Sequence, residues 1–183
     1  TDYDHREIKF IRYDNGAGNF TVINDNGNAS GEFLTFVQNF TGGIVKDNWL
    51  GDFYSVGALV GQEYANNVFH GSFVVSNTSS ALFHTNTFSG DVNSNTFSGE
   101  VYNNTFRGGD VYNNTFSGGV TNNTFSGGYV SNNTFSGYVY NNTFSGGNVN
   151  NNTFSGSVTN NTFSGNVYTN TFSDNVANNT FSG

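Results

Sequence analysis

The sequence contains no cysteine, which excludes disulfides, thiolate metal ligands and thiol nucleophiles and leaves the redox compartment open. Methionine is missing too, even at position 1, and the chain stops inside a repeat at Phe181-Ser182-Gly183, so it reads as a segment of a longer polypeptide; proline is also absent. Basic residues are scarce: 5 Lys and Arg against 13 Asp and Glu give a net charge of −8. That balance opposes an electrostatic grip on nucleic acid or anionic lipid. No apolar run approaches the roughly 20 residues that a membrane-spanning helix requires, and no signal-peptide pattern opens the chain. Only 10% of the 183 residues are charged while 17% are aromatic, unlike a disordered chain or an average globular surface. The length fits one ordinary domain, or one repeat array with a short extra module.

What the chain has in abundance is a repeat. Asn-Thr-Phe recurs from Asn86-Thr87-Phe88 to Asn179-Thr180-Phe181, and from Val92 to Val176 a valine stands five residues before each Phe. The interval from Phe to the next Val is four or five, and the extra residue falls at glycine runs such as Gly108-Gly109. Variable length at glycine and fixed spacing elsewhere mark a turn that absorbs a residue without disturbing buried positions.

A fixed short period is the signature of a stacked architecture. Helix is excluded, because each unit carries several Asn, a Gly and a β-branched Thr. Short strands centred on Val and on Phe, with corners at Asn-Asn and Ser-Gly, satisfy the local propensities. Side chains alternate along a strand, so Phe and Val face inward while Thr, Ser and the neighbours of Val face out. The fold class is therefore all-β, a parallel β-solenoid. Between Phe97 and Phe163 the Phe-to-Phe steps alternate between 9 and 10, so two units make a coil of about 19 residues. Four faces then surround the core in the order Phe, Val, Phe, Val. Phe106, Phe125, Phe144 and Phe163 stack in one column, Phe116, Phe135 and Phe154 in the other, with coils about 4.8 Å apart.

Continued toward the N-terminus, the same intervals put Thr78, Phe69, Val60, Leu50 and Phe40 at Phe positions. They put Phe83, Phe73, Tyr64, Ser55 and Val45 at Val positions. The solenoid is thus expected over 40–183, with degenerate repeats over 40–85 and regular ones over 86–183. Residues 1–39 differ. Ile8-Lys9-Phe10-Ile11-Arg12-Tyr13, Phe20-Thr21-Val22-Ile23 and Phe33-Leu34-Thr35-Phe36-Val37 read as strands separated by Asp14-Asn15-Gly16 and Asp25-Asn26-Gly27. They predict a small β-meander acting as cap or connector, since an open sheet edge needs cover.

Few residues carry chemistry. The Asn two before each Phe is read as a corner residue whose stacked amides bond one another and the turn backbone. The Asn-Asn-Thr runs match the N-glycosylation sequon as a by-product of the repeat. Asp91 and Asp110 fall 19 residues apart on one face, where a solvated surface outweighs an acid–base or cation site. His5, His70 and His84 show no metal-ligand spacing, no catalytic or nucleotide-binding motif appears, and neither metal, cofactor nor catalysis is expected. Arg6, Lys9, Arg12 and Lys46 hold four of the five basic charges, so the array itself is acidic and mostly uncharged. The outward tyrosines are the candidate ligand-binding residues: Tyr102, Tyr138 and Tyr140 beside one Val column, Tyr112 and Tyr129, with Tyr168, beside the other. Flat apolar rings among Asn, Ser and Thr suit carbohydrate or protein recognition, and equally suit cross-strand stacking that stabilises the sheet.

The tandem Asn-Thr-Phe-Ser-Gly and Val-x-Asn units resemble the low-complexity β-solenoid repeats of tailed-bacteriophage fibre and receptor-binding proteins, well over 67–183 and loosely over 40–66. Asn-Thr-Phe-Ser-Gly also resembles the units of pentapeptide-repeat proteins, although alternate units here drop a residue. The phage resemblance implies an elongated, trimeric, non-enzymatic fibre, on a virion surface or extracellular, that attaches to a host-surface glycan or protein. A bacterial surface adhesin is the alternative. A third expectation, ice binding, follows from the likeness of the Thr-Phe-Ser ladder to the Thr rows of β-solenoid antifreeze proteins, against which Arg107 interrupts the ladder.

Overall fold

The computed structural model describes residues 61, 63–75 and 78–183, preceded by eight short strands between Arg12 and Val60. Among the described residues every regular element is a strand of two to four residues. The strands form sheets of ten, eight, eight, six and two members, and apart from one N-terminal pair every pairing is parallel. The molecule is a parallel β-solenoid whose paired residues from Leu34 onward lie 18 to 20 apart in sequence, as in Val149 with Val167, Val120 with Val139 and Phe53 with Phe73.

The corners explain why the strands are so short. The first residue of each Asn-Asn corner takes φ between 54° and 58°, as at Asn103, Asn132 and Asn141. This left-handed conformation is one that Asn tolerates better than most side chains. The second Asn turns inward and is buried. Asn133 donates from its backbone N and its Nδ2 to Asn152 Oδ1 at 2.9 and 3.1 Å, and from Nδ2 to Val111 O at 2.8 Å. Its Oδ1 accepts the same pair of bonds from Asn114. Each buried amide is thereby saturated by neighbouring coils, which removes the desolvation penalty that an unpaired amide would carry.

At the opposite corners glycine does the bending. Gly108, Gly127 and Gly146, at φ of 91°, 121° and 106°, hold the extra residue after Phe106, Phe125 and Phe144. Gly118-Gly119 is a different corner: neither residue has positive φ, and Gly119 is buried beneath Tyr138. Gly118, Gly137 and Gly156 stack so closely that a Cβ on any of them would strike the carbonyl of the coil before it.

Four faces enclose the core in the expected order. The first Val face contains Val101, Val120, Val139 and Val158, and the first Phe face Phe88, Phe106, Phe125, Phe144 and Phe163. The second Val face contains Val92, Val111, Val130 and Val149, and the second Phe face Phe97, Phe116, Phe135 and Phe154. All of these residues are buried. Phe106, Phe125 and Phe144 stack at 4.6 and 4.7 Å, so ring spacing equals strand spacing. The two Phe columns meet edge-on, Phe154 against Phe163 at 6.4 Å and 85°.

The degenerate coils correct three expected positions. Phe97 pairs with Ser79 rather than Thr78, Phe73 pairs with Phe53 rather than Ser55, and Phe40 pairs with Leu59 rather than Val60. The cause is common: the interval of five from a Val position to the next Phe position becomes six in Phe53 to Leu59 and in Phe73 to Ser79. Tyr64, Phe69, Phe73 and Phe83 stand where expected. In the N-terminal stretch, Arg12–Tyr13 pairs antiparallel with Phe20–Ile23. Phe20–Ile23 in turn runs parallel to Ile44–Lys46, and Leu34–Phe36 runs parallel to Phe53–Ser55, so both strands extend sheets of the solenoid. The rest of the expected meander, including Ile8 to Ile11, Phe33 and Val37, lies outside the described residues.

Candidate functional site

The inward faces are saturated, so recognition chemistry has to sit on the outside. Tyr102 and Tyr140 belong to one outward column of the first Val face, with Thr121 between them: Tyr102 pairs with Thr121, and Thr121 with Tyr140. Tyr138 stands beside Tyr140 with Val139 turned inward between them, and its ring lies over Gly119. The Tyr138 hydroxyl donates to Glu100 Oε1 at 3.2 Å, two coils away. At the other end of the column His84 stacks on Tyr102 at 4.9 Å and 7°, and His84 Nε2 lies 2.8 Å from Glu63 Oε1. Of the predicted tyrosines these three come together, and Tyr138 and Tyr140 remain 49% and 39% exposed.

Tyr112 and Tyr129 are on the second Val face, across the core from that cluster, together with Tyr168. Tyr112 pairs with Ser131, Ser131 with Asn150 and Asn150 with Tyr168, so two polar coils separate the aromatic rings. The structure thus divides the five candidates between opposite sides of the solenoid. Glu100, Gly119 and Thr121 join the first group, and sequence reasoning passed over them. Column arithmetic at 19 residues per coil was the available signal, since Gly119 falls midway between Glu100 and Tyr138, and Thr121 midway between Tyr102 and Tyr140.

Asp91 and Asp110 have structural partners. Asp91 Oδ1 accepts from Asp110 N at 2.9 Å, and Asp110 Oδ1 accepts from Tyr129 N at 2.7 Å, so both carboxylates cap the backbone of the following coil. Among the described residues no group of three or more His, Asp and Glu side chains is arranged to hold a metal ion. Arg107 pairs with Ser126 on the first Phe face, which leaves the Thr and Ser rows of the second Phe face unbroken from Thr96 to Ser173. Among the described residues no helix is long and apolar enough to cross a membrane.

Comparison with known proteins adds no relative: no family model, no curated protein and no solved structure matches this chain. The class that the fold defines is a four-faced parallel β-solenoid of tandem repeats.

Proposed function

We propose that this chain is a stiff, non-enzymatic rod segment of a surface appendage that mediates attachment to a host surface, of the kind found in phage tail fibres, working in homo-oligomeric and preferably trimeric form on a virion surface or outside a cell. The observation that supports this reading is the identity of successive layers. Each regular coil repeats the same stacked Phe pair and the same doubly bonded Asn amides, so stiffness is uniform along the regular array and length scales with coil number. An outer surface of Asn, Ser, Thr and Gly keeps such a rod hydrated without many charges.

The test is a length series. Inserting five further copies of the 19-residue block Val111 to Tyr129 should lengthen the particle by roughly 24 Å, five strand spacings, in small-angle scattering or electron micrographs. An unchanged maximum dimension would sink the rod. A monomer in light scattering would count against the fibre assignment, and thermal hysteresis would move the function to the unbroken Thr and Ser rows of the second Phe face.

A further inference from the structure

We propose that the notch above Thr121, between Tyr102 and Tyr140 and beside Tyr138, receives one pyranose ring of a neutral or amino-bearing glycan. The inference deepens the surface-attachment part of the function proposed above and is independent of the rod geometry.

The notch arises from column spacing. Outward residues of successive coils lie one strand spacing apart, and where two rings are adjacent, as in His84 and Tyr102, they stack face to face at 4.9 Å. Thr121 interrupts this column for a single coil. Tyr102 and Tyr140 are therefore two spacings apart, about 9.6 Å, with one ring-thick layer open between them. One face of Tyr102 is covered by His84, and the other face looks toward the gap. Alongside, Gly119 has no side chain, and the Tyr138 ring settles over it and is anchored to Glu100 by its hydroxyl. A bulkier residue at position 119 would displace that ring.

The chemistry around the gap selects the occupant. A pyranose presents C–H groups on its faces and hydroxyls around its edge. Tyrosine rings suit the faces, while the Thr121 hydroxyl, the Tyr138 hydroxyl and the Glu100 carboxylate sit where edge hydroxyls need partners. An aromatic side chain from a protein partner would fill the same layer but offer no hydroxyls to the Thr121 hydroxyl or to the remaining lone pairs of Glu100, at the cost of their desolvation. Charge narrows the class further. The chain carries −8, and Arg107, the sole Lys or Arg after Lys46, lies on another face. Glu100 accepts from a hydroxyl or an ammonium and repels a carboxylate or sulfate, so acidic sugars are excluded. The second Val face has no equivalent, because two polar coils lie between Tyr112 and Tyr168, and it serves as an internal control.

The experiment is an array of neutral, amino-bearing and acidic oligosaccharides probed with the whole chain, followed by calorimetric titration of the best neutral or amino-bearing oligosaccharide. Wild type should bind neutral or amino-bearing probes and ignore acidic ones. Thr121→Tyr fills the missing layer and continues the stack; it should melt no lower than wild type yet bind roughly ten-fold more weakly or worse. Tyr140→Ala should lose binding similarly, and Tyr112→Ala should retain it. Absence of binding to every neutral and amino-bearing probe, a preference for acidic ones, or undiminished binding by a folded Thr121→Tyr chain would each overturn the proposal. The length series is untouched by any of these outcomes, so failure of the sugar site and failure of the rod are told apart.

Discussion

A regular coil and a degenerate coil solve the same packing problem with different residues. Val120, Phe125, Val130 and Phe135 occupy the four faces of a regular coil, and all four are buried. In the degenerate coil the corresponding positions hold Tyr64, Phe69, Phe73 and Ser79. Where the second Phe face has serine in its sequence, both Val faces carry aromatic rings. Phe73 lies parallel to Phe97 at 6.1 Å, and Phe83 meets Phe97 edge-on at 5.2 Å. Tyr64 stacks on Phe83 at 4.7 Å, and full burial pushes its hydroxyl pKa far above that of a free tyrosine, so it stays protonated. The interior conserves total apolar volume per coil and not the residue at each position, as cores generally do. The Asn ladder does not vary. Asn67 donates to Asn86 Oδ1 at 3.0 Å and Asn86 to Asn104 Oδ1 at 3.1 Å, which carries the same polar column through both regions.

The strongest way to break this comparison is to transplant the serine without its compensation. Phe135→Ser in the regular array should cost roughly 5 kcal/mol, a cavity term plus a buried hydroxyl. Adding Val130→Phe, which imitates Phe73, should return about 2 kcal/mol of that. Urea unfolding of the two variants reads both numbers. If the double variant is no more stable than the single one, volume exchange between faces is not what holds the degenerate coil together.

The ladder offers the next largest effect. Asn142→Ala removes the amide that takes two bonds from Asn123 and gives bonds to Asn161 Oδ1 and Val120 O, leaving buried donors and a carbonyl unpaired. Loss of about 3 kcal/mol is expected. Asn86, at the junction of the two regions, takes its two bonds from Asn67 of the degenerate coil and gives bonds to Asn104 Oδ1 and Tyr64 O, so Asn86→Ala should lose the same amount. A loss at Asn86 well under half of that at Asn142 would show that the ladder is not the shared element.

The extent to which the sequence disclosed all this follows from the same contrast. Strict intervals of five from Val to Phe and paired steps of 19 predict the coil, the four faces and both Phe columns, because every one of those positions is set by burial. In the degenerate coils the rule fails by one residue at Ser79 and Leu59, since identity no longer marks the position once volume is shared across faces. Asn77-Thr78-Ser79-Ser80 nonetheless preserves the Asn-Thr-x-Ser frame, and reading the polar frame before the apolar one would have placed Ser79 correctly. The outward tyrosines and their division between the two Val columns were legible, but the gap at Thr121 and the seat of the Tyr138 ring over Gly119 were not. Proximity there depends on the short side chains at Gly119 and Thr121, and small residues on a solvated face leave no hydrophobic pattern.

The smallest effect tests the corners. Among the described residues, nine of the twelve non-glycine residues at positive φ are Asn; Thr85, Ser94 and Thr169 are the exceptions, with φ of 58°, 57° and 57°. A β-branched side chain is poorly suited to this conformation, so Thr85→Asn should relieve strain. The gain is reduced because Thr85 Oγ1 lies 3.2 Å from His84 Nδ1, a contact that the substitution removes. The net stabilisation should be about 0.5 kcal/mol. The mirror change in the regular array, Asn132→Thr, carries no such offset and should cost about 1 kcal/mol. Both are measurable as shifts in urea midpoint at constant slope. A Thr85→Asn chain less stable than wild type would mean that the degenerate corner is built around its threonine, and that the left-handed position is shared by the two regions in backbone shape alone.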